Sequence, residues 1–130
     1  MPTLRQSMKA ALAAAALLGA SSLAALADPG VVKIATPSGE VYADANHMTL
    51  YVFDRDGPGV SNCDGQCAAN WPPLAAPADA TATGDFTPIR RSDGSMQWAL
   101  NGKPLYRWAR DEKPGDMTGD GVGGVWHAAR

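Results

Sequence analysis

The sequence predicts an all-β fold: a small two-repeat sandwich or barrel with pseudo-twofold symmetry, preceded by a signal peptide. Three observations predict it. Shifted against itself by 55 residues, the chain matches without gaps, residues 31–75 lying over 86–130. Each copy is made of short apolar stretches separated by turn residues, the rhythm of strands. The 14 Gly and 10 Pro in 130 residues punctuate the chain too often for long helices.

The first element is the leader, residues 1–27. Arg5 and Lys9 charge its start, residues 10–20 are nearly all Ala and Leu, and Ala25-Leu26-Ala27 has the small-x-small form of a cleavage site. The apolar run is shorter than the roughly 20 residues a membrane span needs. No cysteine lies near the cut, so a lipid anchor is not expected. Residues 28–130 read as a single β-rich domain, its repeats 31–75 and 86–130 joined by an Ala-, Pro- and Thr-rich linker, 76–85. A domain of this size can bury a modest core. The expected location is the periplasm or the exterior.

The full chain carries a net charge of −2, and the leader holds two of its bases and none of its acids. An acidic domain without a basic stripe argues against nucleic acid. No basic amphipathic segment points to a membrane surface.

Within each copy the elements come in the same order. Residues 31–36 form a first strand. Ser38-Gly39 in one copy and Asp93-Gly94 in the other mark hairpin turns. Second strands are expected over 41–45 and 96–100. After turns at Asn46 and Asn101-Gly102, third strands are expected over 50–54 and 105–108. Alternate residues of a strand share a face, so Tyr51 points with Phe53, and Tyr106 with Trp108. Last short strands surround Trp71 and Trp126. Only the loop from Cys63 to Asn70 has room for a helical turn.

These residues carry a resemblance. Tyr51-Val-Phe53-Asp-Arg-Asp56 and Tyr106-Arg-Trp108-Ala-Arg-Asp111 both fit a Tyr-x-aromatic-x-x-Asp motif. Cys63-Asp-Gly-Gln-Cys67 leading to Trp71-Pro-Pro, and Pro114-Gly115-Asp116 leading to Trp126, fit the loops that come after it. The chain resembles the secreted repeat family of bacterial lipoproteins of unknown function, over nearly all of residues 28–130. The resemblance implies an exported β-rich repeat protein and supplies no catalytic residues.

The most chemical feature is the Cys63-x3-Cys67 pair. Export makes a disulfide the default, and it would pin the Trp71-Pro-Pro segment behind it. The alternative is copper, which favours thiolates with imidazole and thioether ligands. Its candidate ligands are Cys63, Cys67, His47, His127, Met48 and Met117, although both histidines read more simply as surface residues. Calcium is a second alternative, on the acidic Gly-rich loops: Asp54, Asp56, Asn62 and Asp64 in one copy, Asp111, Glu112, Asp116 and Asp120 in the other. The plainer reading is tight turns in which Asp accepts backbone amides. Asp56 and Asp111, each at a strand end, are expected to do so for the loops they open. Tyr51, Phe53, Trp71, Tyr106, Trp108 and Trp126 recur in both copies and read as packing residues. Trp98 faces Ala43 in the repeat alignment and is expected on an exposed, ligand- or partner-binding face. No serine–histidine–acid set, phosphate loop or zinc cluster occurs. The expectation is a non-enzymatic module without cofactor that binds an unknown periplasmic protein or small ligand, with a redox or copper-handling protein as the alternative.

Overall fold

The computed structural model describes residues 29–130. The leader lies outside the described residues. Eight short strands carry the fold. They are β1 (Val32–Thr36), β2 (Gly39–Ala43), β3 (Tyr51–Phe53), β4 (Ala75–Ala76), β5 (Phe86–Arg90), β6 (Met96–Leu100), β7 (Lys103–Pro104) and β8 (Trp126–Ala128). The helical turn expected in the cysteine loop is α1, Gln66–Asn70. Its partner 55 residues on is a single 3-10 turn, Val122–Gly124, which the Gly-rich sequence does not reveal.

The first hairpin pairs Ile34 with Val41, and the equivalent hairpin pairs Ile89 with Gln97. Asn101-Gly102 joins β6 to β7 as a two-residue turn, with φ of 51° and 82°. Positive φ at both turn residues suits the right-handed twist of the flanking strands. At the matching place in the first repeat His47 takes φ 63°, standing where the second repeat has Gly102.

The pairing forms three antiparallel sheets, of two, two and four strands. They are not closed into a barrel. The reason lies in how the repeats share strands. β3 of the first repeat pairs with β8 of the second, Phe53 opposite Trp126 and Tyr51 opposite Ala128. In return the 105–107 segment bonds to the chain after Trp71: Leu74 N–H donates to Leu105 O and Arg107 N–H to Pro72 O. The two repeats are thus interleaved. Ala75–Ala76, at the edge of the expected linker, pairs with β6 and is part of the sheet.

The interleaving centres on two equivalent tyrosines. Tyr51 N–H donates to Tyr106 O at 2.7 Å, and Tyr106 N–H to Tyr51 O at 3.0 Å. Reciprocal bonds between equivalent residues are what a pseudo-twofold axis passing between them requires. The side chains then cross over. Tyr51 hydroxyl donates to Asp111 Oδ2 at 2.6 Å, and Tyr106 hydroxyl to Asp56 Oδ2 at 2.7 Å. Each motif's Tyr therefore bonds the other motif's Asp. The second oxygen of each Asp accepts from its own loop, Asn62 N–H on Asp56 and Thr118 N–H on Asp111.

Cys63 and Cys67 form a disulfide, with Cα atoms 5.2 Å apart. It closes the loop that leads through α1 to Trp71, whose N–H donates to Cys67 O. A polar core group ties this loop to the second hairpin. The buried Arg91 donates to Gln97 Oε1 at 2.7 Å and Cys63 O at 2.7 Å, and Gln97 donates to Leu105 O. Thr36 and Tyr42 occupy the matching positions of the first repeat, so the repeat comparison gives no sign of this group.

One expectation is overturned here. Trp98 is only 2% exposed, in the middle of β6, and marks no surface. Gln97 to Leu100 are all buried, and since successive residues of a strand point to opposite faces, both faces of β6 are covered there. Trp98→Ala is expected to cost about 3–5 kcal/mol of folding stability, the usual loss for a buried tryptophan. An exposed residue would cost almost nothing, and urea unfolding separates the two. Tyr51→Phe is expected to cost about 1–3 kcal/mol in the same assay, because Asp111 Oδ2 and Gly119 N–H both lose their partner.

Candidate functional site

The strand exchange brings the motif aromatics into one column. Phe53 stacks on Trp126 at 4.2 Å, Trp126 on Trp71 at 3.8 Å, and Trp71 on Trp108 at 4.0 Å. The inner pair is buried, and the end rings Phe53 and Trp108 are half-buried. Close packing here needs a glycine. A Cβ on Gly119 would stand 2.9 Å from the Trp71 ring and 3.0 Å from that of Trp108.

Each end ring lines a groove, and the two grooves are related by the repeat. The first, of about 360 Å³, is lined by Val52, Phe53, Asp54, Asp56, Pro58, Asn101, Lys103 and Pro104. The second, of about 80 Å³, is lined by Met48, Thr49, Pro72, Arg107, Trp108, Ala109 and Asp111. Nearly all of these are equivalent positions: Phe53 with Trp108, Asp54 with Ala109, Asp56 with Asp111, Lys103 with Met48, Pro104 with Thr49. The bulkier indole fits the smaller hollow. The larger groove opens into an adjoining one of about 390 Å³ that shares Val52, Asp54, Asn101 and Lys103 and adds His127 and Arg130. The large groove has the dimensions of a small-molecule site.

Its polar groups are few. His127 Nε2 and Asp54 Oδ2 are 2.8 Å apart, both about half exposed. The side chains of Asn101 and Lys103 have no partner among the described residues. Asp54, His127 and Lys103 have no counterpart in the other groove, where Ala109, Pro72 and Met48 stand. Residues that recur hold the fold together. The ones that differ give this groove its own chemistry.

The remaining predicted residues are dispersed. His47 is exposed in its turn, and Met48 lies in the small groove. Met117 packs against the aromatic core, and its Sδ accepts from Ser38 Oγ. The sulfurs of Cys63 and Cys67 are joined, and a disulfide offers no thiolate to copper. The loop acids are engaged one by one. Asp64 accepts from Ser92, Asp116 from Glu112 N–H and Lys113 N–H, and Asp120 from Ala128 N–H. Among the described residues no three His, Cys, Asp or Glu side chains are grouped to hold a metal ion.

Both buried phenols are pushed well above the ordinary tyrosine value, chiefly by loss of water and further by their carboxylate partners. Burial also raises the Asp56 carboxyl, against hydrogen bonds from Asn62 and Tyr106 that lower it. The folded protein therefore holds this proton more tightly than the unfolded chain does. That contribution to stability is complete below the unfolded Asp value of about 3.9 and is lost as pH rises through the raised folded value. The stability of wild type relative to Asp56→Asn is thus expected to fall as pH is raised from about 3 to about 6, in urea titrations at stepped pH.

Among the described residues no helix is long and apolar enough to cross a membrane. No curated protein and no solved structure matches the chain. A family model does match, twice, over residues 32–75 and 87–130, which together make up most of the chain. Those two stretches are the interleaved halves of the fold, each with its Tyr, its Asp and its column aromatics, and the chain belongs to the family described as a secreted repeat of unknown function.

Proposed function

We propose that this protein is a non-enzymatic binding module of the periplasm, exported through a cleaved signal peptide over residues 1–27, and that it takes a small ligand in the groove beside Phe53. The observation that carries this reading is the inequality of the two grooves. One fold repeated twice would make two equal hollows. Here one is nearly filled by Trp108, and the other is left open. Its floor is an aromatic ring, its wall is Val52, Pro58 and Pro104, and its rim offers Asp54, Asn101, Lys103 and His127. An apolar hollow with a few placed polar groups is the usual form of a ligand site. The rim charges balance in sign, so the groove suits a polar or zwitterionic compound better than a strong ion.

The test fills one groove at a time. Asp54→Trp blocks the large groove, and Ala109→Trp, at the equivalent position, blocks the small one. Both positions are exposed. A library of water-soluble metabolites is screened by NMR. Bound compounds are expected to shift Phe53, Asn101 and Lys103. Asp54→Trp should weaken them at least about tenfold, a loss of about 1.4 kcal/mol, and Ala109→Trp should leave them unchanged. Binding indifferent to Asp54→Trp defeats the groove. Turnover of a compound, abolished by Asp54→Trp, would make the protein an enzyme.

A further inference from the structure

Dense packing accounts for aromatic rings in contact. It does not account for the acceptors on the phenols. A buried hydroxyl is satisfied by any carbonyl, and a carboxylate is among the costliest groups to bury. Yet both phenols donate to carboxylates. Both also stand edge-on to the middle of the column, Tyr51 at 5.4 Å from Trp71 and Tyr106 at 5.1 Å from Trp126. A readily oxidised ring with a base on its proton, in contact with stacked indoles, is the arrangement in which an electron and a proton can leave in different directions.

We propose that the column is a path for one-electron oxidation, running from Trp108 at the surface through Trp71 and Trp126 to Tyr106. A one-electron oxidant of the class of high-valent metal complexes takes an electron from the Trp108 indole. Electrons shift along the stack to replace it, and the deficit arrives at Tyr106. Its phenol gives one electron to the stack and its proton to Asp56 Oδ2, along the 2.7 Å hydrogen bond. The products are the reduced oxidant, a neutral phenoxyl on Tyr106 and a protonated Asp56. No bond between heavy atoms is made or broken. The path needs no ligand in the groove and stands apart from the binding reading.

Two differences between the repeats give the path a direction. Phe53 occupies the other end of the column, and a benzene ring is far harder to oxidise than an indole. The stack is therefore open at Trp108 alone. The two acceptors also differ. Asp111 Oδ1 takes two hydrogen bonds from Thr118, at its N–H and its hydroxyl, whereas Asp56 Oδ1 takes one, from Asn62 N–H. A carboxylate held by fewer donors accepts a proton more readily. After its proton has gone, Tyr106 oxygen keeps a hydrogen bond to Ser61 at 2.6 Å, closer than the 3.2 Å from Gly119 N–H to Tyr51 oxygen.

The test uses the purified protein with its disulfide intact and tris(bipyridine)ruthenium(III), generated by a laser flash, as the oxidant. Radicals are followed by transient absorption and by EPR on frozen samples. A phenoxyl signal is expected in wild type, retained in Tyr51→Phe and lost in Tyr106→Phe. Trp108→Phe should slow its appearance, and Phe53→Trp, which opens the second end, should speed it. These last two variants exchange rings that the repeats already carry, so the fold has a place for each, and circular dichroism checks it. Three outcomes overturn the proposal: a phenoxyl signal that survives Tyr106→Phe, an indole radical that never passes to tyrosine, or a rate indifferent to Trp108→Phe.

Discussion

Everything in this fold hangs on two tyrosines that hold each other by the backbone. Tyr51 and Tyr106 exchange N–H to carbonyl bonds across the pseudo-twofold axis, and their hydroxyls reach past one another to the opposite Asp. The arrangement settles where each repeat ends. Because Tyr51 lies against the second repeat, β3 runs beside β8. Because Tyr106 lies against the first, the chain after Trp71 runs beside 105–107. The column of rings is a result, since the exchange sets Phe53 on Trp126 and Trp71 on Trp108. A charged acceptor makes each buried hydroxyl bond stronger than a neutral one would. Losing either partner leaves the other buried and unsatisfied. The Tyr and the Asp of the motif are thus needed together, and in both copies.

Much of this was legible in the residues. The repeat, the β rhythm, the hairpin turns, the helical turn near Cys63 and the disulfide all stem from local chemistry, which a sequence displays directly. Asp56 and Asp111 accept loop amides as strand-end acids do. What stayed hidden is what depends on pairing between distant segments. Nothing in Tyr51 says that its partner is Asp111 rather than Asp56, since both lie after an equivalent motif. Nothing in Arg91, in a turn-rich stretch of polar residues, says that it is buried against Cys63 O. Trp98 misled because its repeat partner is an alanine. A difference between copies was read as surface, whereas β6 is buried on both faces and its larger ring is buried with it. The groove was invisible for the same reason: Asp54, Lys103 and His127 are far apart in the chain and meet only through β3, β7 and β8.

The departures from symmetry are as informative as the symmetry. Exchanging Phe53 for Trp108 changes the size of a groove and the chemistry of one end of a stack. The exchange of Lys103, His127 and Asp54 for Met48, Pro72 and Ala109, and of Val52 for Arg107, gives the two faces different charge. In a duplicated fold the paired positions bear the structural constraint twice, and the unpaired ones are released from it. Such a molecule keeps one scaffold and has two faces to vary.

The interleaving has a consequence for how the chain is made and moved. β3 waits for β8, a partner more than seventy residues later in the sequence. Contacts so far apart form late, because a long loop must close before they repay its entropy. Of the three sheets, only β3–β8 needs residues 126–128, and the aromatic column that joins the repeats needs Trp126. A chain emerging from the ribosome can pair its hairpins early but cannot join its two repeats until its last residues are out. For a secreted protein that delay is useful, since a translocation channel threads unfolded chains, and here the core shared by the repeats cannot lock until nearly all of the chain has passed.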